Sequence, residues 1–476
     1  MKDHQRNEGS VGMNGQGRRT AHAVRDAARR FTRRGAVATA SVAAGAAGVF
    51  ASSACGGARR EGAGNGVQRT AQPRDVVFTH DSVGDVRDRL WEESFRKAAE
   101  ATGHRVSVVW EPGATFWEKR QTEFAGGTAP MDIMKNQTNW VLPGGLAGMF
   151  LDHTPLFKRD KINTNDWYKT GLDTWSWKGK LYAVPYQVGG EVVHFNKKLF
   201  DAKGVKHPHK DWTYDEFLAA CQKLNDPANG KYAVQIGQNG IHYMMGTFIL
   251  NHGGKRLDEA KARALYGDDP KAIQGAELDV DLHTRYGYAP RPDSDALKAV
   301  PQGRQPIEIE MVAMEFNGSF RHTVIRDALG ASNVDFAPPP RGPGGVQTAA
   351  VGGNSWSILS LSKSHDAAWE VLRWLYTREG LSTPWSTLVS WPPIVSFAAT
   401  PQWLGQFEGT HMADCAEVWR KAGHDLLVLP EGNEAWTVMN APLNRALTGE
   451  IAVRQAMQES ARQLNDLFAK RPATWR

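Results

Sequence analysis

The chain has 476 residues, enough for two to three domains, and its 41% hydrophobic and 23% charged residues allow a sizeable globular core. The net charge of +6 belongs to the leader: residues 1–54 hold nine Lys/Arg and three Asp/Glu, leaving forty-eight of each sign beyond them. A neutral body excludes the footprint of a nucleic-acid binder, and three cysteines without a C-x-x-C exclude a disulfide scaffold or a zinc site.

The first residues read as an address. A basic start ending in RRFTRRG precedes the weakly apolar AVATASVAAGAAGVF, and ASSAC leads into the polar tract GGARREGAGNG. These are the n-region, h-region and cleavage site of an export signal over residues 1–55. The apolar run is too short and mild to span a bilayer. Thr32-Arg33-Arg34 resembles a twin-arginine signal, although Ala36 and Val37 follow where bulkier residues are usual. Ser52-Ser53-Ala54-Cys55 resembles a lipobox with Ser52 in place of Leu. Lipidation of Cys55 would anchor the chain through a flexible tether, residues 56–73, whereas ordinary cleavage would release it. The polar tract favours the anchored form.

From Arg74 strands and helices alternate. Val76-Val77-Phe78 reads as a strand, and residues 86–101 as a helix with Leu90, Trp91, Phe95 and Ala98 on one face. Val106, Val108 and Trp110 alternate as a second strand. Phe116 to Ala125 is helical, and Met131 to Met134 is a third strand. This rhythm implies a parallel sheet covered by helices. Further on, residues 191–196 read as a strand. Residues 213–225 read as a helix with Thr213 and Glu216 placed for a capping box. Residues 355–361 form a strand, and 365–380 and 451–469 form amphipathic helices. The run APPPRGPGG at 337–345 reads as a linker or crossover. Cys221 and Cys415 fall in helical runs, as buried thiols or one incidental disulfide.

Catalytic signatures are sparse. There is no G-x-S-x-G, H-E-x-x-H, P-loop or G-x-G-x-x-G. Ser360-x-x-Lys363 lacks its companion motifs and reads as a strand end before a helix capped by Ser364. Glu308 and Glu310 alternate as IEIE; they could be posed as a glycosidase pair but read better as a solvated face. Fifteen histidines show no ligand spacing, and no metal or cofactor site is expected.

Seventeen tryptophans are the conspicuous feature. Trp140, Trp175, Trp177, Trp391, Trp403 and Trp436 fall at predicted loop edges, where an indole offers a flat apolar face for a sugar ring. Trp91, Trp369 and Trp374 have helical spacing and read as core, and Trp212 as structural.

Several segments carry a resemblance. FAGGTAPMDI (124–133), GKLYAVPYQVGGEVVHFNKKLFDAKGV (179–205), DWTYDEFLAACQKL, AMEFNGSFR (313–321) and GGNSWSILSLSKSHDAAWEVLRWLYTREG (352–380) follow one another in order. Together they resemble extracellular solute-binding proteins of the maltose-binding (family 1) type over nearly the whole mature chain. Met131 before Asp132, the His194-Phe195 pair, and Phe320 where Trp is common depart from the pattern.

The resemblance implies a periplasmic-binding-protein-like α/β fold: two α/β lobes with a ligand cleft between them. Lobe 1 would comprise residues 74–188 plus 334–395, and lobe 2 residues 189–333 plus 396–470. Crossings would fall near Gly189-Gly190, the 337–345 prolines and Pro392-Pro393. It implies a monomeric, non-enzymatic substrate-binding subunit that captures a carbohydrate by lobe closure and delivers it to ABC permease subunits, with no nucleic acid involved. Position by position it puts Asp81, Asn139, Trp140, Tyr186, Asn317, Phe320, Asn354, Trp356 and Trp436 in the cleft, and Trp117 and Trp391 join them as a second tier of ligand-binding candidates. The NGSF and GGNSW segments are expected as turns. A polyamine, a metal chelate or another charged solute, a secreted carbohydrate-active enzyme and a sensing subunit are the competing readings.

Overall fold

Strands and helices alternate from Asp75 onward in the computed structural model, which describes residues 72–82, 86–237, 240–382 and 391–475. The export signal, Cys55 and the tether up to residue 71 lie outside the described residues. Strand β1 (Asp75–Ser82) buries Val76, Phe78, Thr79 and His80, so both of its faces are covered, as in a central parallel strand. Helix α1 (Val86–Thr102) presents Trp91, Phe95 and Ala98 to the core at helical spacing. β2 (Arg105–Pro112) alternates in exposure, as an edge strand does. Helix α2 (Phe116–Ala125) follows, and then β3, Ile133–Asn136.

The third strand begins two residues later than the sequence suggests. Asp132 is used as a brace: its carboxylate accepts from Val77 N at 2.9 Å and from Ser362 Oγ at 2.6 Å.

The rest of the sheet comprises β4 (Val184–Asn196), β5 (Tyr232–Ile236), β6 (Val312–Gly318), β7 (Val334–Ala337), β8 (Ala349–Ile358) and β9 (Gly423–His424). Among the described residues these nine strands form one sheet with the path β2-β1-β3-β8-β4-β6-β5; β9 pairs with β8 and β7 with β4. Two parallel ladders, β2/β1/β3 and β5/β6, are joined through two long antiparallel strands. β4 pairs with β8 through Val184–Gly190, then turns its next residues, Glu191–Phe195, to β6. β8 runs the other way and ends antiparallel to β3, Ile358 facing Ile133.

The GGNSW segment is strand, not turn. Gly353 is required because a Cβ there would lie 1.8 Å from Gln187 O on β4. The carbonyls of the prolines after β7 accept side-chain hydrogen bonds, Pro338 O from Trp212 Nε1 at 2.7 Å and Pro339 O from Gln347 Nε2 at 2.9 Å. β7 itself pairs with Val193–Asn196, so residues 334–337 sit with the β5/β6 ladder and not with β1–β3.

Helix α3 (Tyr214–Leu224) has the expected capping box between Thr213 and Glu216. Helices α4 (Met244–Asn251) and α5 (Pro270–Thr284) follow it, and α6 (His365–Leu375) and α7 (Met412–Ala422) come after β8. α8 (Asn433–Leu447) and α9 (Val453–Ala469) close the described chain and pack on α4 and α5 around Met245, Ile249, Ile273, Leu443, Met457 and Leu464, a core of their own. The main core follows the sheet from Phe78 through Trp356 to Phe316 and Trp419. Cys221 and Cys415 are free and buried. Among the described residues no helix is long and apolar enough to cross a membrane.

Candidate functional site

In α/β sheets, ligand-binding loops collect at the carboxyl ends of parallel strands. Here those ends are the residues after β1 and β3 in one ladder, and after β5 and β6 in the other. At the end of β1 stands Asp81, buried, with Lys135 Nζ 2.7 Å from its carboxylate. His80 Nδ1 lies 3.2 Å from the same carboxylate. Burial alone would raise the Asp81 carboxyl, yet the hydrogen bond from His80 and the charge of Lys135 outweigh it and hold the group well below the ordinary carboxylate range. The charge is therefore already matched by protein.

The loop after β3 carries Thr138, Asn139 and Trp140. Thr138 Oγ1 donates to Gly353 O at 2.7 Å. Asn139 Nδ2 donates to Asn433 Oδ1 at the start of α8. Trp140 lies parallel to Trp117, with ring centroids 5.5 Å apart and planes at 6°. Both rings are buried with Phe116, Met131, Met149 and Phe150. They pack the floor of this loop and present no open face. Tyr186 and Trp356 are also buried, centroids 4.7 Å apart, among Phe78, Trp91 and Phe95. Beside them, Asn354 Nδ2 donates to Gln187 Oε1 at 2.8 Å, and this half-buried amide pair lies across the β4/β8 ladder.

On the other ladder Asn317 is the last residue but one of β6. Its amide donates to Glu315 Oε1 at 2.8 Å and its oxygen accepts from Gly318 N at 2.8 Å. Phe320, just beyond, is 38% exposed. Trp436 on α8 is half-buried and stacks on His242, centroids 4.2 Å apart, while His242 Nδ1 lies 3.0 Å from Asn440 Nδ2. Burial pushes His242 down to about 4, so its ring is neutral at ordinary pH.

Contacts thus link Asn139 to α8, and Asp81, Asn354, Asn317, Phe320 and Trp436 lie at the strand ends or beside the ladders that bear them. Trp391 stands apart: it is buried against Trp403, Phe407 and Trp419 and donates to Tyr168 OH at 2.7 Å. Sequence reasoning missed Lys135, Gln187, His242, Asn433 and Asn440. Lys135 was findable as a charge inside the apolar strand MDIMKN, and Asn433 as a polar residue opening a helix. His242 carried no signal.

The acid/base pairing is not built. Glu308 is buried in a short 3-10 turn (Pro306–Ile309) and ion-paired with Arg321, not part of a solvated face. Glu310, at φ 54°, pairs with Lys198 at 3.4 Å. Among the described residues no cluster of three or more His, Cys, Asp or Glu is placed to hold a metal ion.

Comparison with known proteins agrees with this architecture. Residues 85–381 match the family described as bacterial extracellular solute-binding protein, and the chain belongs to that family. It is 23% identical over 361 residues to the erythritol/L-threitol-binding protein of Mycolicibacterium smegmatis, covering 69% of this chain and 74% of that one. It is 26% identical over 328 residues to the mannitol-binding protein of Pseudomonas aeruginosa, covering 61% and 71%. Its fold is similar to that of an ABC substrate-binding protein from Listeria monocytogenes in complex with cycloalternan, with a TM-score of 0.72, 18% identity, and coverage of 84% of this chain and 100% of that one. The fold is thus of the periplasmic-binding type, and membership of an extracellular family places the protein outside the cytoplasm.

Proposed function

We propose that this member of the bacterial extracellular solute-binding proteins is the substrate-binding subunit of an ABC importer, and that its cargo is a neutral polyhydroxy solute, a sugar or a polyol. The observation that carries the reading is the chemistry at the strand ends. Amides (Asn139, Asn317, Asn354, Gln187), a neutral His242 and the half-buried Trp436 dominate; of the two acids there, Asp81 is already matched by Lys135, and Glu315 is fully buried beneath Asn317, where burial raises its carboxyl. Amides exchange hydrogen bonds with hydroxyls and an indole stacks on C–H faces. A polyamine would need unmatched carboxylates. The names of the two relatives above, both polyol-binding, point the same way.

In this reading the ladders β2/β1/β3 and β5/β6 are the sheets of two lobes, and β4 near Gly189-Gly190, β8 and the segment near Pro392-Pro393 are the straps between them. The ligand closes the lobes by its extra affinity for the closed state. The closed form is delivered to permease subunits by a monomer that performs no chemistry. Export by a twin-arginine signal and lipidation at Cys55 belong to the same proposal. They rest on the leader sequence alone.

The test is a thermal-shift screen of residues 56–476 against erythritol, mannitol, glucose, diacetylchitobiose, putrescine and a ferric chelate. A polyhydroxy compound at a hundred times its Kd should stabilise the protein by about 2.7 kcal/mol, saturably and without being consumed. Stabilisation by putrescine or the chelate alone would refute the cargo class. Turnover of the bound compound would establish an enzyme.

A further inference from the structure

Resting on that reading, we propose that the contact between Asn139 and Asn433 shuts one end of the cleft and confines the cargo to short polyhydroxy solutes, a linear polyol or a single sugar ring, to the exclusion of oligosaccharides. The two residues are 294 positions apart, and their side-chain amides meet directly. Asn139 is nearly buried in the loop after β3, and Asn433 is exposed at the first turn of α8, so the contact lies at the mouth of the site.

The backbone beneath the amides is just as close. Gly432 sits at φ +56°, and a Cβ there would lie 2.8 Å from Asn139 O and 2.6 Å from Pro143 Cγ. Only a glycine in the left-handed region allows this approach. A sugar chain leaving the site between the β3 loop and α8 would have to separate both layers.

The aromatic inventory agrees. A bound oligosaccharide needs a succession of open ring faces, one for each stacked sugar. Trp117 and Trp140 spend their faces on each other, and Tyr186 and Trp356 are within the core. Of the candidate residues, Trp436 and Phe320 alone keep substantial ring surface. That suffices for one ring or a short chain of hydroxylated carbons. The amides Asn354, Gln187, Asn317 and Asn440 carry both donors and acceptors, the kind of group that exchanges hydrogen bonds with hydroxyls.

Titration calorimetry on residues 56–476 tests this with erythritol, mannitol, glucose, maltose, maltotriose and diacetylchitobiose. The wild type should bind at least one of the first three about tenfold or more tighter than any of the last three. In Asn433→Ala, and separately in Asn139→Ala, the gap should narrow because the longer sugars gain affinity. A wild type that binds maltotriose or diacetylchitobiose as tightly as any short member would overturn the shut end and leave the polyhydroxy cargo standing. A preference for short solutes that neither variant changes would overturn the role of the two asparagines. Failure of all six to bind overturns the cargo class itself, and the inference with it.

Discussion

Replacing Glu191 with Gln should abolish a specific slope in the pH dependence of stability. Glu191 stands where β4 leaves β8 for β6, and it is fully buried. One carboxylate oxygen accepts from Thr247 Oγ1 on α4 and from Ala350 N on β8 at 3.2 Å. Thr247 Oγ1 also lies 3.0 Å from His424 Nε2 on β9. The other oxygen has no hydrogen-bond partner among the described residues. Burial pushes this carboxyl up to about 8; the bonds from Thr247 and Ala350 oppose it and Asp279 on α5 adds to it. The folded protein therefore holds a proton here that the unfolded chain has lost above about 4.5. The contribution to stability is complete below that pH, falls as pH rises, and is gone above about 8. Between pH 5 and 8 this is about three pH units at about 1.36 kcal/mol each, roughly 4 kcal/mol. Gln keeps the acceptor and the volume but cannot ionise.

At about 2.1 cal/mol/K per residue over roughly 400 residues, the variant should gain about 5 °C in Tm over the wild type on going from pH 5 to pH 9. Paired melts at pH 5, 6, 7, 8 and 9 at one ionic strength read this directly. Burial lowers His424 to about 3, and it and the other buried histidines titrate alike in both proteins, so they cancel in the difference. A Tm difference that is the same at pH 5 and pH 9, or that shrinks with pH, would refute the buried neutral carboxyl.

Gly190→Val should destabilise by about 2–4 kcal/mol, because a Cβ there meets Trp419 Cε2 at 2.2 Å and displaces the indole that donates to Glu191 O at 2.9 Å; melts at pH 7 measure it. Trp436→Ala should weaken the bound solute about tenfold, ~1.4 kcal/mol, while the unliganded Tm falls by only about 2 °C, since the ring is half-buried and its stack on His242 and its bond to Leu427 O are a small part of the entropy-scaled stability of a chain this long. Calorimetry against the best solute from the screen, alongside a melt, reads both quantities.

Local rules made much of the fold legible. The terminal helix, read at 451–469, runs from Val453 to Ala469, and the capping box at Thr213 and Glu216 is formed. In both, neighbours in sequence settle the structure. The misreadings share a cause in contacts made far along the chain. Gly352 and Gly353 read as a turn because nothing nearby shows that Gln187 O occupies the space of a side chain. The IEIE pair read as a solvated face because Arg321, which binds Glu308, is thirteen residues away.

The site was legible by kind and less so by residue. Tryptophan abundance pointed to stacking, but Trp117, Trp140 and Trp356 are spent on the interior, and burial of an indole depends on tertiary neighbours. Asn139, Asn317 and Asn354 do stand at the strand ends or beside the joined ladders, while their amide partners Asn433 and Gln187 come from distant segments.

The path of β8 also dictates when the molecule can exist. Asn136 waits for Ser357, 221 residues later, to complete its side of the sheet, and β4 lacks an antiparallel neighbour on that edge until the same strand arrives. Until Ala349–Ile358 leaves the ribosome, β3 and β4 expose bare edges of the kind that recruit other chains. Such distant pairing slows folding. A gene cut anywhere before residue 349 should give an aggregating product, not half of a working receptor.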